Sequence, residues 1–453
     1  MRVLSSTQLR SISHRYWVAV AAVCGLICSV NQGSTEALHL SGTVQSFVES
    51  IGVNTAIDYP NTAEYHNPLK LIAAMHYLGI NTLRDHTPDP NDSATWASYM
   101  AIAKAGFRFD FLIAGNGNVN ISRDIAHLHA MASAQPGSIL AIEAPNEINQ
   151  WPITYHGLTD YRAAGATVQR NLWRAVKSDP LLSKAAVYCL TLSNGLNGIY
   201  MDEAVLGDLT SFVDYGNAHI YGSGGHNLWH SDMPYWLPVQ ATPTPGKPMV
   251  LTETGYDTER NAPRTDKVSE LVAAKYNINL LLHNFLNGIA TTYLYNLADA
   301  PSGDAQRYGQ FNADWTAKAG AKAIHNLIRI LTEAGSGSPA GIPNYSVEGL
   351  PSRGHSLLLA GDQAFALAVW NETTIWDATT AEDIPPSAYI LTVELGSPYA
   401  SVAVYDPMVG TTPIAQYGPT TTVQLHLTDH PLIIEVGHPG AAAPLPLERK
   451  HDP

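Results

Sequence analysis

The stretch Ser138–Trp151, S-I-L-A-I-E-A-P-N-E-I-N-Q-W, decides how the rest of the chain is read. It opens as a short apolar run and ends in Asn146-Glu147, with a tryptophan four residues beyond. A buried strand that turns polar where it ends is how a closed barrel of parallel strands presents a working residue. Asn-Glu alone is a common dipeptide, and most glutamates are solvated surface. A second apolar run gives it weight: Pro248–Tyr256, P-M-V-L-T-E-T-G-Y, carries Glu253 near its end. The two acids are 106 residues apart (253 − 147), room for three βα units at roughly 30 or more residues each. Read together, Glu147 and Glu253 are a candidate pair of catalytic carboxylates.

Working outward, apolar runs and capped helical patterns alternate along the chain. Strands are expected at Ile51–Ile57, Ile80–His86, Phe107–Ala114, the Asn-Glu run itself, Ala186–Leu192, Val213–Tyr221, Met249–Thr254 and Ile289–Leu297. Between the early ones, Asn67-Pro68 starts a helix that Gly79 closes, Asp92 or Ser93 caps a helix to Ala105, and Ser122–Ala134 is helical. Further helices are expected at Thr159–Lys177, Asp266–Leu286 and Ala313–Leu331. Eight strands alternating with helices predict a (β/α)8 barrel over residues 45–335. The rival doubly wound sheet lacks a glycine-rich phosphate turn after its first strand. A Gly/Ser/Pro-rich linker, Gly335–Pro343, then changes the pattern. Short strands follow at Ser356–Leu359, Ala364–Trp370, Tyr389–Leu395, Ser401–Tyr405, Thr421–Leu427 and Leu432–Val436, with no helical pattern between them. They predict a small C-terminal antiparallel β-sandwich over residues 341–437, and the Pro/Ala-rich residues 438–453 read as a disordered tail.

Composition narrows the partners. The 453-residue chain is 45% hydrophobic but only 14% charged, with a net charge of −14 and no Lys/Arg-rich run. That excludes a nucleic-acid partner and favours a neutral, hydroxyl-rich ligand. At the N-terminus, Arg2, Arg10 and Arg15 precede the charge-free stretch Tyr16–Val30, as in an export signal. A leader over residues 1–37, cut near Thr35-Glu36-Ala37, would make the protein secreted or periplasmic, with no stable membrane insertion afterwards. Cleavage would leave Cys189 as the sole cysteine of the three, so no internal disulfide is expected.

The polar residues at the ends of the expected strands form a compact set: Arg84 and His86, Asn116, Asn146 and Glu147, His219 and Tyr221, Glu253, Tyr295 and Asn296. Strand periodicity puts Glu143 and Glu147 on one face, as it does His219 and Tyr221. Asn-Glu ending strand four and a lone glutamate ending strand seven resemble clan A of the glycoside hydrolases. The resemblance covers roughly Ser50–Leu331 and implies retaining cleavage of β-glycosidic bonds in a poly- or oligosaccharide. By position it implies Glu147 as acid/base, Glu253 as nucleophile, Asn146 on the sugar 2-hydroxyl, and Arg84, His219 and Tyr221 as further substrate-site residues. The chain departs from the pattern at strand eight, where Tyr293, Tyr295 and Asn296 replace a frequent tryptophan.

The blander readings differ by residue. Glu143, nearer the start of its strand, is expected to neutralise a buried arginine, Arg84 or Arg108. Arg84 and His219 could be core members only. Trp151, Trp229 and Trp236 are either sugar platforms or core covers. His127 and His129, two apart on a helix, cannot face one ligand, and Gly224-Gly225 argues against a helical His226/His230 pair. No metal and no cofactor is therefore expected. Two function classes remain, an enzyme and an inactive glycan-binding barrel; a transglycosylase would share the enzyme's site. The presence of both acids favours the enzyme.

Overall fold

Capped helices laid between short apolar strands have one way to bury both: strands inside, helices outside. The computed structural model describes residues 36–59, 63–113, 117–193, 203–259, 267–300, 306–335 and 344–437. The barrel strands are Ile51–Asn54, Thr82–His86, Arg108–Leu112, Ile139–Glu143, Ala186–Tyr188, Gly216–His219, Met249–Thr254 and Thr292–Leu294. They pair in parallel in chain order, and the eighth returns to the first. A parallel bridge between Tyr188 and Tyr215 closes strand five onto strand six. All eight expected strands are present, each within its expected bounds. Most are shorter, because ladder pairing stops before the apolar run does. Strand four thus ends at Glu143, and Asn146-Glu147 lie in the loop just above it.

The local signals act as expected. Asn67 Oδ1 accepts from Lys70 N at 3.2 Å, Pro68 occupies the first turn, and Gly79 closes the helix in the left-handed conformation at φ 77. That helix buries Leu71, Ala74, Met75 and Leu78, an i, i+3, i+4, i+7 stripe, against the barrel. Asp92 caps Ser93–Lys104, and Ser269 caps Glu270–Leu286. No described helix is long and apolar enough to cross a membrane.

The barrel interior is layered. Its lower layer is an apolar plug of Ala141, Tyr188, Val250 and Tyr293. Gly52 of the first strand makes room for it: a Cβ there would lie 2.4 Å from the Tyr293 ring. Above the plug the inward residues turn polar, with Asn54, Arg84, Asp110, Glu143, Asn217 and Thr252 all buried.

Beyond the barrel, two β-sheets pack face to face. One has four strands and the other six. The expected strands are present, and Ser346–Glu348, Trp376–Asp377, Glu382–Asp383 and Ala415–Tyr417 are added. Both sheets also recruit chain from before the barrel. Glu36–Ala37 pair antiparallel with Val347 and Ser346, and Leu40–Thr43 run parallel to Leu358–Ala360. Period-2 alternation explains the six-stranded sheet. Ala364, Ala366, Ala368 and Trp370 face the barrel core, while Phe365, Leu367 and Val369 face the other sheet. Every residue of Ala364–Asn371 is consequently buried. Helix Glu270–Leu286, wedged between barrel and sheet, is buried on nearly all sides and so lacks a polar face. Residues 1–35 of the expected leader (1–37), most of the linker (336–343) and the tail (438–453) lie outside the described residues, whereas Glu36–Ala37, the end of that expected leader, form a strand of the β-domain.

Gly52→Ala should therefore lower stability by about 1–3 kcal/mol through overpacking against the Tyr293 ring. Adding Tyr293→Leu should restore part of it. Chemical denaturation of the single and double variants checks this; a single variant as stable as wild type would contradict the plug.

Candidate active site

The site is built around Arg84, which strand two sends into the barrel at 5% exposure. A lone guanidinium at that depth would be prohibitive, so acceptors must surround it. Its Nε and Nη2 donate to the two oxygens of Glu143 at 2.7 and 2.8 Å. Nη1 donates to Asn54 Oδ1 at 2.9 Å and Glu253 Oε1 at 2.7 Å, and Nη2 also reaches Asn146 Oδ1 at 2.7 Å. Burial opposes the charge on Arg84, but the Glu143 and Glu253 carboxylates outweigh it and lock the guanidinium protonated. Of the two arginines open to Glu143, the partner is Arg84.

Glu253 has a second anchor: the Tyr221 hydroxyl donates to its Oε2 at 2.8 Å. Burial alone would raise its pKa. The charges on His219 and Arg84, with the bonds from Tyr221 and Arg84, prevail and hold it below the usual 4.5. The Tyr221 phenol is pushed well up, by burial and then by the Glu253 charge, so it remains a donor. Gly255, two residues on, has φ 145, and a Cβ there would approach Tyr295 O to 2.9 Å.

Glu147 faces this group from the other side. Its backbone is left-handed, at φ 41, a conformation that costs a non-glycine residue about 1 kcal/mol or more. Three bonds fix it: Glu147 N donates to Thr191 Oγ1 at 3.0 Å, and Gln150 N and Trp151 N donate to its carbonyl at 2.8 and 2.9 Å. His219 Nδ1 lies 3.0 Å from Glu147 Oε1 and 3.7 Å from Glu253 Oε2. Burial lowers the His219 pKa, but Glu253 and then Glu147 drive it up overall. One oxygen from each glutamate and a His219 nitrogen lie within 4.8 Å of one another. Two carboxylates this near, with a cation behind one and an imidazole between, are equipped for nucleophilic and acid–base work.

Of the residues expected from sequence, Arg84, Asn146, Glu147, His219, Tyr221 and Glu253 form one hydrogen-bonded group. Tyr295 borders it, its ring 6.3 Å from that of Tyr221. Trp151 stands at the rim, 47% exposed. Asn116 lies outside the described residues. Trp229 instead gives its indole N–H to Asn284 and stacks on His283, and Trp236 packs against the core. His127 and His129 reach different acids, Asp89 and Asp179.

The supporting polar layer was missed. Thr252 Oγ1 lies 3.0 Å from His219 Nε2, and its hydroxyl also sits 2.9 Å from Asn217 Oδ1. Asn217 Nδ2 donates to Glu143 Oε1 at 3.1 Å, and Gln240 Oε1 accepts from His219 N at 2.8 Å. Tyr308 completes an aromatic wall with Tyr221 and Tyr295. Beside Arg84, Asp85 accepts from Thr55 Oγ1, Ile57 N and the Tyr99 hydroxyl, and burial lifts it to about 6. The signal for Asn54, Asn217 and Thr252 was periodicity: each is a polar residue on the inward side of an apolar strand.

No family model matches the sequence, and no curated protein matches it by sequence. Solved structures do match in fold. A glucosidase from Croceicoccus marinus aligns with a TM-score of 0.59 at 12% identity, covering 90% of this chain and 100% of its own. A family 39 glycoside hydrolase from the gut symbiont Bacteroides cellulosilyticus aligns with a TM-score of 0.57 at 12% identity, covering 87% and 81%. At that identity the likeness is one of fold, and it spans barrel and β-domain together.

Replacing Arg84 by Gln strands Glu143 and Glu253 as unpaired buried acids and should cost about 3–5 kcal/mol. Glu143→Gln in the same background should recover part of the loss. Denaturant unfolding of the pair checks this, and a double variant no better than the single would argue against a shared charge cluster.

Proposed function

We propose that this chain is a retaining β-glycosidase that cleaves a poly- or oligosaccharide by double displacement. The observation that carries the reading is the approach of one oxygen of Glu147 to within 4.8 Å of one of Glu253 at the barrel mouth, with Arg84 and Tyr221 bonded to Glu253 and not to Glu147. Retaining enzymes set their carboxyls about 5–5.5 Å apart, and inverting ones ~6.5–9.5 Å to admit a water. An oxygen-to-oxygen approach within 4.8 Å is compatible with the shorter separation and so with direct attack.

In this mechanism Glu253 attacks the anomeric carbon as an anion, and the glycosidic C–O bond breaks. Glu147 delivers a proton to the departing oxygen. A glycosyl ester of Glu253 results, and water, deprotonated by Glu147, then displaces Glu253 and returns the starting configuration. Arg84 and Tyr221 restrain Glu253 as a carboxylate and orient it. Asn146 spends its carbonyl on Arg84, which leaves its amide N–H groups for the sugar 2-hydroxyl. Trp151 at the rim offers an exposed ring face to an adjoining sugar. The two fold relatives named above, both sugar-cleaving enzymes by name, are compatible with this reading, as is the low charge of the chain.

An inactive glycan-binding barrel would have no need to hold two acids this close. The β-domain serves as support more than as a lectin: its tryptophans, Trp370 and Trp376, are buried at 0% and 7% exposure. Transglycosylation would use the same residues and differ in how far water is excluded. We further infer export, from Arg2, Arg10 and Arg15 ahead of the charge-free Tyr16–Val30. Processing upstream of Glu36 would preserve the strand that Glu36–Ala37 add to the β-domain.

Several measurements bear on this reading. With an aryl β-glycoside, proton NMR should show the β-anomer first; an initial α-anomer would mean inversion. Glu147→Ala should lose about 10²–10⁴-fold on natural substrates but less on activated ones, and azide should be captured as a β-glycosyl azide. Glu253→Ala should be inactive on every substrate until azide replaces it, giving the α-glycosyl azide.

The pH profile follows from the sign of the Glu253 shift. Attack needs the ionised form, so kcat/KM should fall with acid only through a pKa below 4.5. Tyr221→Phe removes one stabilising bond to the anion and should move that limb upward. An unchanged limb would detach Tyr221 from the nucleophile.

A further inference from the structure

Glu372 lies outside the Glu147/Glu253 group, just past strand Ala364–Asn371, and is 0% exposed. Its two oxygens have different company. Oε1 is bonded, by His283 Nδ1 at 2.7 Å and by the Trp370 indole N–H at 3.2 Å. Oε2 faces His230 Nε2 at 3.0 Å and His355 Nε2 at 3.6 Å. Neither makes a hydrogen bond with it: Glu372 Oε2 and His355 Nε2 are both buried atoms without a hydrogen-bond partner among the described residues. The three atoms lie within 4.8 Å of one another. Two imidazole nitrogens and a carboxylate oxygen thus converge on one point, paired by charge at 3.0 and 3.6 Å but not aligned for a hydrogen bond.

We propose that His230, His355 and Glu372 form a binding site for a divalent transition-metal ion of the zinc class. A tetrahedral ion with bonds of about 2.0–2.2 Å separates its ligands by roughly 3.3–3.5 Å. The observed 3.0 and 3.6 Å fall either side of that spacing. Two imidazoles and one carboxylate suit a borderline ion such as zinc, and poorly suit calcium or magnesium, which take oxygen donors. The fourth position is left to water. The His230 and His355 side chains are 26% and 23% exposed, which gives an ion a way in. The surroundings are those of a built site. His283 and Trp370 hold the non-ligating oxygen and so orient Glu372, the service that outer hydrogen bonds perform for metal ligands. The His283 and His355 rings lie in contact, centroids 4.2 Å apart and tilted by 45°, which restricts the His355 ring.

The ligands also come from separate parts of the fold. His230 belongs to the turn Leu228–His230, in the loop after barrel strand six. His355 and Glu372 belong to the β-domain. The ion would therefore clamp a loop of the barrel to the β-domain, a structural role apart from the proposed chemistry of Glu147 and Glu253. Sequence spacing gave no sign of it, because His230 and His355 are 125 residues apart (355 − 230).

The test uses the full chain stripped with a chelator and titrated with Co²⁺. One equivalent should bind with the intense visible absorption of low-coordinate cobalt and be displaced by Zn²⁺. Zn²⁺ should raise the thermal midpoint of wild type. His230→Ala and His355→Ala should each weaken Co²⁺ binding by well over 10-fold and abolish the Zn²⁺ shift. His283→Leu, which removes the orienting bond to Glu372 and the ring contact with His355 but no ligand atom, should weaken it by about 10–100-fold. No low-coordinate cobalt signal in wild type overturns the proposal, whatever the variants do. So does a signal that survives in His230→Ala and His355→Ala but vanishes in Glu147→Gln, since the ion would then sit in the barrel mouth.

Discussion

One buried cation organises this molecule. Arg84 gathers Asn54 from strand one, Glu143 and Asn146 from strand four and the loop above it, and Glu253 from strand seven. Strands on opposite sides of a barrel have no backbone bonds to each other, so a shared guanidinium is a way to fix them mutually. Its planar fork has five N–H donors, and five acceptor atoms meet them at 2.7–2.9 Å. Such a cluster adds little net stability compared with a well-packed apolar core, because desolvation offsets most of the attraction. What it supplies is position. Glu253 cannot turn away without leaving Arg84 and Tyr221 unsatisfied at the same time.

The same layer must manage its own charge. Arg84 is flanked by Glu143 and Glu253, and Asp110 lies beside Glu143 at 0% exposure with no donor on either oxygen among the described residues. Burial, and then the Glu143 charge, push the Asp110 carboxyl well above its usual range. It therefore keeps its proton, and the barrel interior is spared a third negative charge. The imidazole of His219, moved up by Glu253 and Glu147, leans the other way and contributes positive charge near the pair. Across a few ångströms the protein holds one acid neutral, one acid strongly ionised and a cation locked on.

The sequence made some of this legible and hid the rest, for physical reasons. Asn67-Pro68 and Gly79 bracket a helix because their geometry is local, needing only Lys70 N and Met75 O to be satisfied. Glu147 and Glu253 stood out because an acid ending an apolar run is rare. Tyr221, which the resemblance implied as a site residue, donates to Glu253 at 2.8 Å. Asn54, Asn217 and Thr252 stayed hidden because a polar residue within a strand gains its meaning from neighbours across the barrel, which depend on register. Trp229 looked like any loop tryptophan until Asn284 and His283 placed it. The edge strand Leu40–Thr43 was unreadable for a similar reason. Its partner, Leu358–Ala360, lies on the far side of the whole barrel in sequence.

The β-domain is bound to the proposed chemistry through the helix Glu270–Leu286, which follows the strand of Glu253. That helix gives Lys275 to Asp429, Asn279 to the Asp429 carbonyl and His283 to Glu372, and its Tyr276 hydroxyl accepts from Ile375 N, all on the β-domain side. Its other side closes the barrel core with Ala274, Ile278, Leu281 and Leu282. Stripped of the barrel it would expose that apolar face, and stripped of the β-domain it would leave Lys275, Asn279 and His283 without these partners. One hydrophobic cluster runs from Ile51 and Val53 in the barrel to Ala368, Trp370 and Ile433 in the six-stranded sheet. A boundary drawn at the linker therefore separates two segments of sequence but cuts through a single core. The sheet that carries no proposed catalytic residue is part of what keeps Glu253 where Arg84 can reach it.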